Sequence, residues 1–260
     1  MAVTYSYRFN PQGNIVSLSG IRVPFFMEND MSRSTEHLKA FLSLFNQTAR
    51  YHKRAKVFED LISCCVIALE NRLNFSEVRE QKYLRIIKSY TKEDASNFVH
   101  LLAHVAMGLE AGYCDFLGEA FMQLELGDKY HGQFFTPWDI SRMMAQIQLG
   151  DVQRQFQEKP FITLSEPACG AGCMILAFAD VLNEEGYAAH NHLWVSATDV
   201  DPLAAGMAYI QLSLCGIAGE VVIGNSLMDE RRRVLYTPGH YLGNWPLRLK
   251  QQIADSSTCL

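Results

Sequence analysis

The chain has 260 residues, of which 48% are hydrophobic and 20% charged, a composition typical of a globular protein with a sizeable core. No run of 18 or more apolar residues predicts a membrane span, and residues 1–10 lack the basic-then-apolar pattern of a signal peptide. The net charge is −5, but residues 1–92 carry 14 basic against 8 acidic residues, residues 93–226 carry 4 against 17, and residues 227–260 carry 5 against 3. We therefore expect an anionic partner to meet the ends of the chain rather than its middle; ordinary variation in surface charge is the alternative.

The seven cysteines are scattered and form no CxxC pair with zinc-like spacing, so we expect no metal site. Their odd number favours the reducing environment of the cytoplasm over a secreted, disulfide-bonded protein.

The first 30 residues hold short apolar runs between turn residues such as Pro11 and Gly13, and they predict an irregular arm or a short hairpin. A helical domain is expected over 31–127, because apolar residues there recur at intervals of three and four. Ser34, Ser76 and Thr91 are the expected N-caps. The helices are predicted near 34–50, 54–73, 76–90, 92–110 and 113–126.

Residues 128–260 are expected to form a second domain, in which short apolar strands alternate with helices. Strands are predicted at 161–164, 192–198 and 220–223, with helices near 139–149, 173–183 and 202–215. This alternation predicts a parallel α/β sheet. The fold class is therefore α/β, with an N-terminal helical bundle followed by a short Rossmann-like domain.

Polar or glycine-rich segments follow all three predicted strands. Gly170 and Gly172 form a turn that lets a ligand approach the backbone, although an ordinary structural turn uses the same residues. Asp199 follows the second strand, where a carboxylate can accept hydrogen bonds from the ribose of a nucleoside, and Asp201 is expected to cap the next helix. Asn225 follows the third strand and could contact an adenine or simply end the strand. Because ligands bind at the carboxyl ends of parallel strands, the three segments together predict a nucleoside site.

These segments resemble the motifs of the N6-adenine DNA methyltransferases and occur in the order in which that family carries them. A further motif of the family precedes them, Gly132-Gln133-Phe134-Phe135-Thr136-Pro137. The resemblance covers roughly residues 92–227 and points in particular to the modification subunits of type I restriction systems, which also have a helical domain before the catalytic domain. It implies S-adenosylmethionine as cofactor and DNA as partner.

The resemblance also implies roles for individual residues. Gln133, Phe134, Phe135, Thr136 and Pro137 would close over the cofactor, with Thr136 near its methionine end. A second set would line the methionine and the sugar: Glu166, Ala168, Gly170, Ala171 and Gly172. Asp199 would bind the ribose and Asn225 the adenine, at a position where the family usually has aspartate.

The catalytic residues stay unknown, because the family's Asn/Asp-Pro-Pro-Tyr/Phe tetrapeptide does not occur in this sequence. In the family it binds the amino group of the extruded target adenine and stacks on the base. Val234-Leu235-Tyr236 is too short for the strand that should precede it. Gly243-Asn244-Trp245-Pro246 has suitable residue types in the wrong order and is a weak substitute.

Several further residues have competing interpretations. His100 and His104 could share a helix face as metal ligands, but packing is favoured, and Cys169 and Cys173 are expected to be buried fillers. The basic runs at 50–56 and Arg231–Arg233 could contact DNA phosphates or face solvent. Tyr241 and Trp245 could stack on a base, although burial is favoured.

The sequence therefore predicts an S-adenosylmethionine-dependent N6-adenine DNA methyltransferase-like protein that methylates or binds DNA. The alternative is an inactive homologue that binds DNA or restriction-modification subunits. The expected partners are DNA, through the basic N-terminal helices and Arg231–Arg233, and a second copy or a restriction-modification subunit; no membrane is expected.

Overall fold

The structure is a computed structural model that describes the backbone of residues 6–9, 15–19, 31–126 and 136–258. In the N-terminal arm, β1 (Ser6–Phe9) pairs antiparallel with β2 (Ile15–Ser19), so the hairpin alternative is confirmed for these two segments.

Five helices follow within residues 31–126, close to the predicted positions. They are α1 (Met31–Gln47), α2 (Arg54–Leu73), α3 (Glu77–Ile87), α4 (Lys92–Glu110) and α5 (Phe116–Gln123). Thr91 caps α4 as predicted, because its hydroxyl accepts the amide N–H of Asp94 at 3.1 Å. Ser76 occupies the N-cap position of α3 without a side-chain bond. The prediction for Ser34 is wrong: it lies inside α1, where its Oγ packs 3.3 Å from the Sγ atom of Cys114.

Aromatic rings fill the interior of this helical region. Phe41 stacks on Phe45 and meets Phe116 edge-on, while Phe45 meets Phe58 edge-on, with centroid distances of 5.7–6.2 Å. All four side chains are fully buried, and such ring pairs add to the free energy gained by burial. The ring contacts fix α1, α2 and α5 against one another.

In the rest of the described chain the three predicted strands and three predicted helices are present, together with four helices and a fourth strand that were not predicted. The elements are α6 (Trp138–Leu149), α7 (Val152–Glu158), β3 (Ile162–Glu166), α8 (Cys173–Glu184), α9 (Ala189–His192), β4 (Leu193–Asp199), α10 (Pro202–Leu214), β5 (Ala218–Asn225), a 3-10 turn (Ser226–Met228), β6 (Glu230–Tyr236), α11 (Pro238–Leu242) and α12 (Trp245–Thr258). The sheet order is β3-β4-β5-β6, with the first three strands parallel and β6 antiparallel. The predicted α/β class, with helices ahead of a parallel sheet, is confirmed.

The fourth strand differs from the prediction. β6 spans seven residues rather than the three of Val234-Leu235-Tyr236, because the chain reverses at Asp229 (φ 51°) and pairs with β5 at once. Gly224 permits this, since a Cβ atom there would lie 1.9 Å from the carbonyl oxygen of Glu230. The chain after Asn225 therefore runs back antiparallel along β5.

The two faces of the sheet differ in burial. Val195, Ala197 and Val221 are fully buried within the main core. Thr163 and Ser165 are exposed on the opposite face, where Ser196 is half-buried. Farther along the same face, Ala218 and Val222 of β5 are buried, so the exposed polar part lies toward β3. Among the described residues, no strand pairs with the outer edge of β3.

One cluster of buried apolar side chains runs from Leu38 in α1 to Leu235 in β6 and so joins the helices to the sheet. The boundary predicted between 127 and 128 stays a prediction. No helix in the described ranges is both long and apolar enough to cross a bilayer.

Candidate functional site

The glycine turn between β3 and α8 has the backbone conformation that the sequence motif predicts. Gly170 has φ 53° and Gly172 has φ 98°, values that L-residues rarely adopt. Gly172 is also the N-cap residue of α8, so the first amides of that helix open beside the turn. Both glycines are thus required by the turn itself, and the helix terminus offers N–H donors to an anionic group.

Asp199 connects this turn to the end of β4. Its Oδ2 atom accepts the N–H of Gly170 at 2.8 Å, and its Oδ1 atom accepts the N–H of Asp201 at 2.9 Å. A backbone bond of 2.8 Å from Cys169 to the carbonyl of Thr198 runs beside them. The structure therefore brings two of the predicted segments into direct contact. Each carboxylate oxygen keeps a further lone pair, so Asp199 can still accept a ribose hydroxyl.

The remaining residues of the turn divide into exposed and buried positions. Glu166 is half-buried, and its Oε1 atom accepts the N–H of Ala168, which is exposed, at 3.1 Å. Ala171 is buried. Asp201 caps α10 as predicted, because its carboxylate accepts the N–H of Leu203 at 2.9 Å.

A buried glutamine fixes the turn from behind. Gln211 on α10 donates from Nε2 to the carbonyl oxygen of Ala171 at 2.8 Å and to Oδ1 of Asp115 at 2.9 Å. Its Oε1 atom accepts the N–H of Leu117 at 2.9 Å. Asp115 also caps α5 by accepting the N–H of Gly118 at 3.0 Å. These bonds tie the glycine turn to α5 and α10.

Burial raises the pKa of Asp115, and the hydrogen bonds from Gln211 and Gly118 partly oppose that shift. Sequence reasoning missed Gln211. The available signal was a single amide side chain in the otherwise largely apolar helix 202–214, since a buried amide needs polar partners.

Asn225 ends β5 and organises the turn that follows. Its Oδ1 atom accepts the N–H groups of Leu227 at 3.0 Å and Met228 at 3.3 Å. The strand-ending role that the sequence left open is therefore present, and the Nδ2 group remains as a donor toward a ligand.

Exposed apolar side chains adjoin the polar residues of the site. Val200, which follows Asp199, is 60% exposed. Leu227 and Met228, which lie two and three residues after Asn225, are 95% and 77% exposed. Ligand sites combine apolar walls with a few polar groups, so these side chains suit the faces of a planar base. Sequence reasoning did not select them.

The predicted loop at 133–137 is described only in part. Gln133, Phe134 and Phe135 lie outside the described residues. Thr136 and Pro137 are exposed and directly precede α6. Ser141 in α6 packs its Oγ atom 3.3 Å from the Sγ atom of Cys173, the first residue of α8, so α6 begins close to the glycine turn.

The weak substitute for the tetrapeptide is wrong. Trp245 is fully buried at the start of α12 and packs edge-on against Phe161, which precedes β3 at the amino end of the sheet. It therefore cannot stack on a base, whereas Tyr241 is 51% exposed. Because β6 runs antiparallel, no fourth parallel strand brings a catalytic segment to the carboxyl edge within the described residues.

The other candidates have structural roles. Burial raises the pKa of the Cys173 thiol to about 12 and that of Cys169 further still, so both are unreactive fillers as expected. His104 contacts His37 on α1, with 3.3 Å between their Nδ1 atoms. Across the described ranges, no three potential ligands form a metal site.

The three consecutive arginines of β6 are engaged within the protein. Arg231 pairs with Glu220 at 2.8 Å, Arg232 donates to the carbonyl oxygen of Val200 at 2.8 Å, and Arg233 pairs with Glu70 on α2. Their first role is to hold β6 in place rather than to form a free basic surface.

Comparison with known proteins identifies the family of this chain. The family model for N-6 DNA methylases matches residues 116–246, which are 131 of the 260 residues. A curated relative, the type I restriction enzyme MjaIX methylase subunit of Methanocaldococcus jannaschii, is 23% identical over 170 residues. That match covers 60% of this chain but only 29% of the relative, so the chain spans less than a third of the relative's length.

Two solved structures are similar at low identity. A proposed class I S-adenosylmethionine-dependent methyltransferase of Listeria monocytogenes is 17% identical with a TM-score of 0.42, covering 74% of this chain and 55% of its own. The methyltransferase subunit of a type I restriction-modification system from Streptococcus thermophilus is 13% identical with a TM-score of 0.34, covering 72% and 56%. Because both TM-scores are below 0.5, no conclusion rests on them. The family match spans half of the chain and includes the glycine turn, Asp199 and Asn225, and on this ground the chain belongs to the N-6 DNA methylase family.

Proposed function

We propose that this protein binds S-adenosylmethionine at the carboxyl edge of β3, β4 and β5 and serves the methylation of adenine in DNA. The contact between the Asp199 carboxylate and the Gly170 amide carries the proposal, because it joins a ribose acceptor to an anion-accepting turn. Membership of the N-6 DNA methylase family supports the same cofactor and substrate.

The residues at this edge fit the cofactor part by part. Asp199 would accept the ribose hydroxyls, and Asn225 would face the adenine with its Nδ2 donor. Val200 and Leu227 would cover the faces of the base. Glu166, Ala168, Gly170, Ala171 and Gly172 would line the methionine and sugar. When bound, the cofactor supplies an activated methyl group.

The amino group of the target adenine still needs a polar acceptor beside the cofactor. A partner chain that carries this acceptor would complete the enzyme, and a restriction-modification subunit or a second copy would fit that role. Without it, the protein would bind cofactor and DNA but transfer no methyl group. We place these events in the cytoplasm, in keeping with the cysteines of the described ranges, which are free and buried.

Calorimetry with S-adenosylmethionine tests the cofactor site. Asp199→Ala should weaken binding at least tenfold, since a hydrogen bond to a charged carboxylate contributes about 1.5–3 kcal/mol. Asp151→Ala is the matched control: this exposed carboxylate also accepts a backbone N–H, from Arg154, but lies at the start of α7. Equal affinity of both variants and the parent would refute the site. Transfer of a labelled methyl group to duplex DNA then separates the enzyme from the binding protein.

A further inference from the structure

We propose that one end of the helical region binds the phosphate backbone of duplex DNA. This surface, here called the basic end, consists of Arg50, Lys53, Lys88 and Lys92. The inference rests on the proposed function, because it assigns a surface to the DNA on which the methyltransferase site would act.

Two turns that are distant in sequence form the basic end. The α1–α2 turn contributes Arg50 and Lys53, and the α3–α4 turn contributes Lys88 and Lys92. The N–H of Thr91 donates to Oη of Tyr51 at 3.1 Å, and a ring nitrogen of His52 lies 3.1 Å from the carbonyl oxygen of Ser89. These contacts hold the two turns side by side, so four positive charges share one end of the helices.

The charges of the basic end are available to a ligand. All four side chains are exposed, and none forms an ion pair with a residue that the structure describes. Arg50 donates from Nε to the carbonyl oxygen of Asn46 at 3.2 Å, which leaves its terminal amino groups for a phosphate. Two carboxylates, Glu93 and Asp94, lie next to Lys92 in the first turn of α4. Asp94 is buried and engaged by Ala49, Tyr51 and Thr91, whereas Glu93 is exposed.

The start of α2 adds to this positive surface. Lys53 is the N-cap residue of this 20-residue helix, and its ammonium group, which is only a donor, cannot accept the first amides; the first turn also holds no acidic residue. The first amides of α2 are thus available beside Lys53, and the helix dipole adds partial positive charge there. Phosphate oxygens are suited to both the amides and the lysine.

Other basic residues that the sequence left as candidate phosphate ligands are engaged within the protein. Arg54 donates to the carbonyl oxygens of Phe45, Thr48 and Ala49, each at 2.8 Å, and so closes the end of α1. Lys56 pairs with Asp60 at 2.5 Å. With Arg231–Arg233 also engaged, the four residues of the basic end are the better phosphate ligands.

Fluorescence anisotropy of a labelled 24-base-pair duplex, titrated from 50 to 300 mM KCl, tests the proposal. A variant with Arg50, Lys53, Lys88 and Lys92 all changed to Gln should bind less tightly. Its slope of log affinity against log salt should fall by about 3–4, because each lost phosphate contact removes about 0.9. The control changes four exposed basic residues elsewhere, Lys39, Arg72, Lys159 and Lys250, to Gln, which gives the same change in net charge.

The proposal holds if the slope falls in the first variant and stays near the parent value in the control. It is overturned if the affinity and the salt slope fall equally in both variants, or if the parent does not bind the duplex. It is also overturned if an RNA duplex of the same sequence binds at least as tightly as the DNA. Lys53→Glu and Lys88→Glu, tested singly, repeat the measurement with less change to the surface. Calorimetry with S-adenosylmethionine should give the parent affinity for every variant, so a failed DNA site is distinguishable from a failed cofactor site.

Discussion

At the scale of single residues, Asp94 joins two parts of the helical region. Its carboxylate accepts the N–H of Ala49 at 2.7 Å and the hydroxyls of Tyr51 at 2.8 Å and Thr91 at 2.7 Å. Burial alone would raise the pKa of Asp94, but these hydrogen bonds and the nearby Arg54 outweigh it, so the pKa lies below its ordinary value. The ionised carboxylate therefore stabilises the folded state.

The sign of the pH dependence follows from that shift. A depressed folded pKa gives a stabilisation that is fully present above the unfolded value, near pH 4, and is lost as the pH falls through the folded pKa. Asp94→Asn should lower the free energy of unfolding by about 1.5–3 kcal/mol at pH 7, with the difference from the parent shrinking below about pH 4. Urea titrations between pH 7 and pH 3 measure it, with Glu93→Gln, an exposed neighbour, as control. A difference that stays constant with pH would contradict the assignment.

At the scale of elements, Gln211 links α10, α5 and the glycine turn. Gln211→Met keeps the volume but leaves the carbonyl of Ala171, the carboxylate of Asp115 and the N–H of Leu117 without this partner. We expect a loss of about 2–4 kcal/mol in unfolding free energy, since each buried unpaired group costs about 1–3 kcal/mol and the structure relaxes in part. Affinity for S-adenosylmethionine should also fall in protein that is still folded.

Calorimetry below the melting temperature separates this positioning role from stability alone. Gln148→Met makes the same side-chain change at an exposed position of α6 and should alter neither quantity. If Gln211→Met is less stable but binds the cofactor with the parent affinity, Gln211 does not position the turn.

The sequence predicted the elements well because their signals are local. Apolar periodicity placed α2 and α4, and Thr91 and Asp201 were recognisable caps. The bond between Gly170 and Asp199 was foreseeable, because parallel strands end at one edge of a sheet. By contrast, β6 can form only because the backbone of Glu230 approaches Gly224 closely. The hydrogen-bond partners of Gln211 lie 40 to 96 residues away in the chain. Such contacts leave no periodic pattern in a single sequence.

At the scale of the whole molecule, helices and sheet share a core. α10 crosses α2 at Gly206, where a Cβ atom would lie 2.8 Å from Cγ2 of Ile62, and Arg233 of β6 pairs with Glu70 of α2. The proposed domains at 31–127 and 128–260 are therefore expected to unfold together. The three tryptophans, Trp138, Trp194 and Trp245, all lie after residue 127, so their fluorescence reports on the second domain alone.

Phe45→Ala tests this coupling from the first domain. Replacing the fully buried Phe45 with alanine should lower the free energy of unfolding by about 3–5 kcal/mol. Because the two proposed domains share a core, the domain that carries the tryptophans should be destabilised as well. The urea midpoints followed by tryptophan fluorescence and by far-ultraviolet circular dichroism should fall together. Phe75→Ala, at a side chain that is 63% exposed, should leave both near the parent value. If Phe45→Ala lowers the dichroism midpoint while the fluorescence midpoint stays in place, the two domains fold independently, and the contacts around Gly206 only dock one against the other.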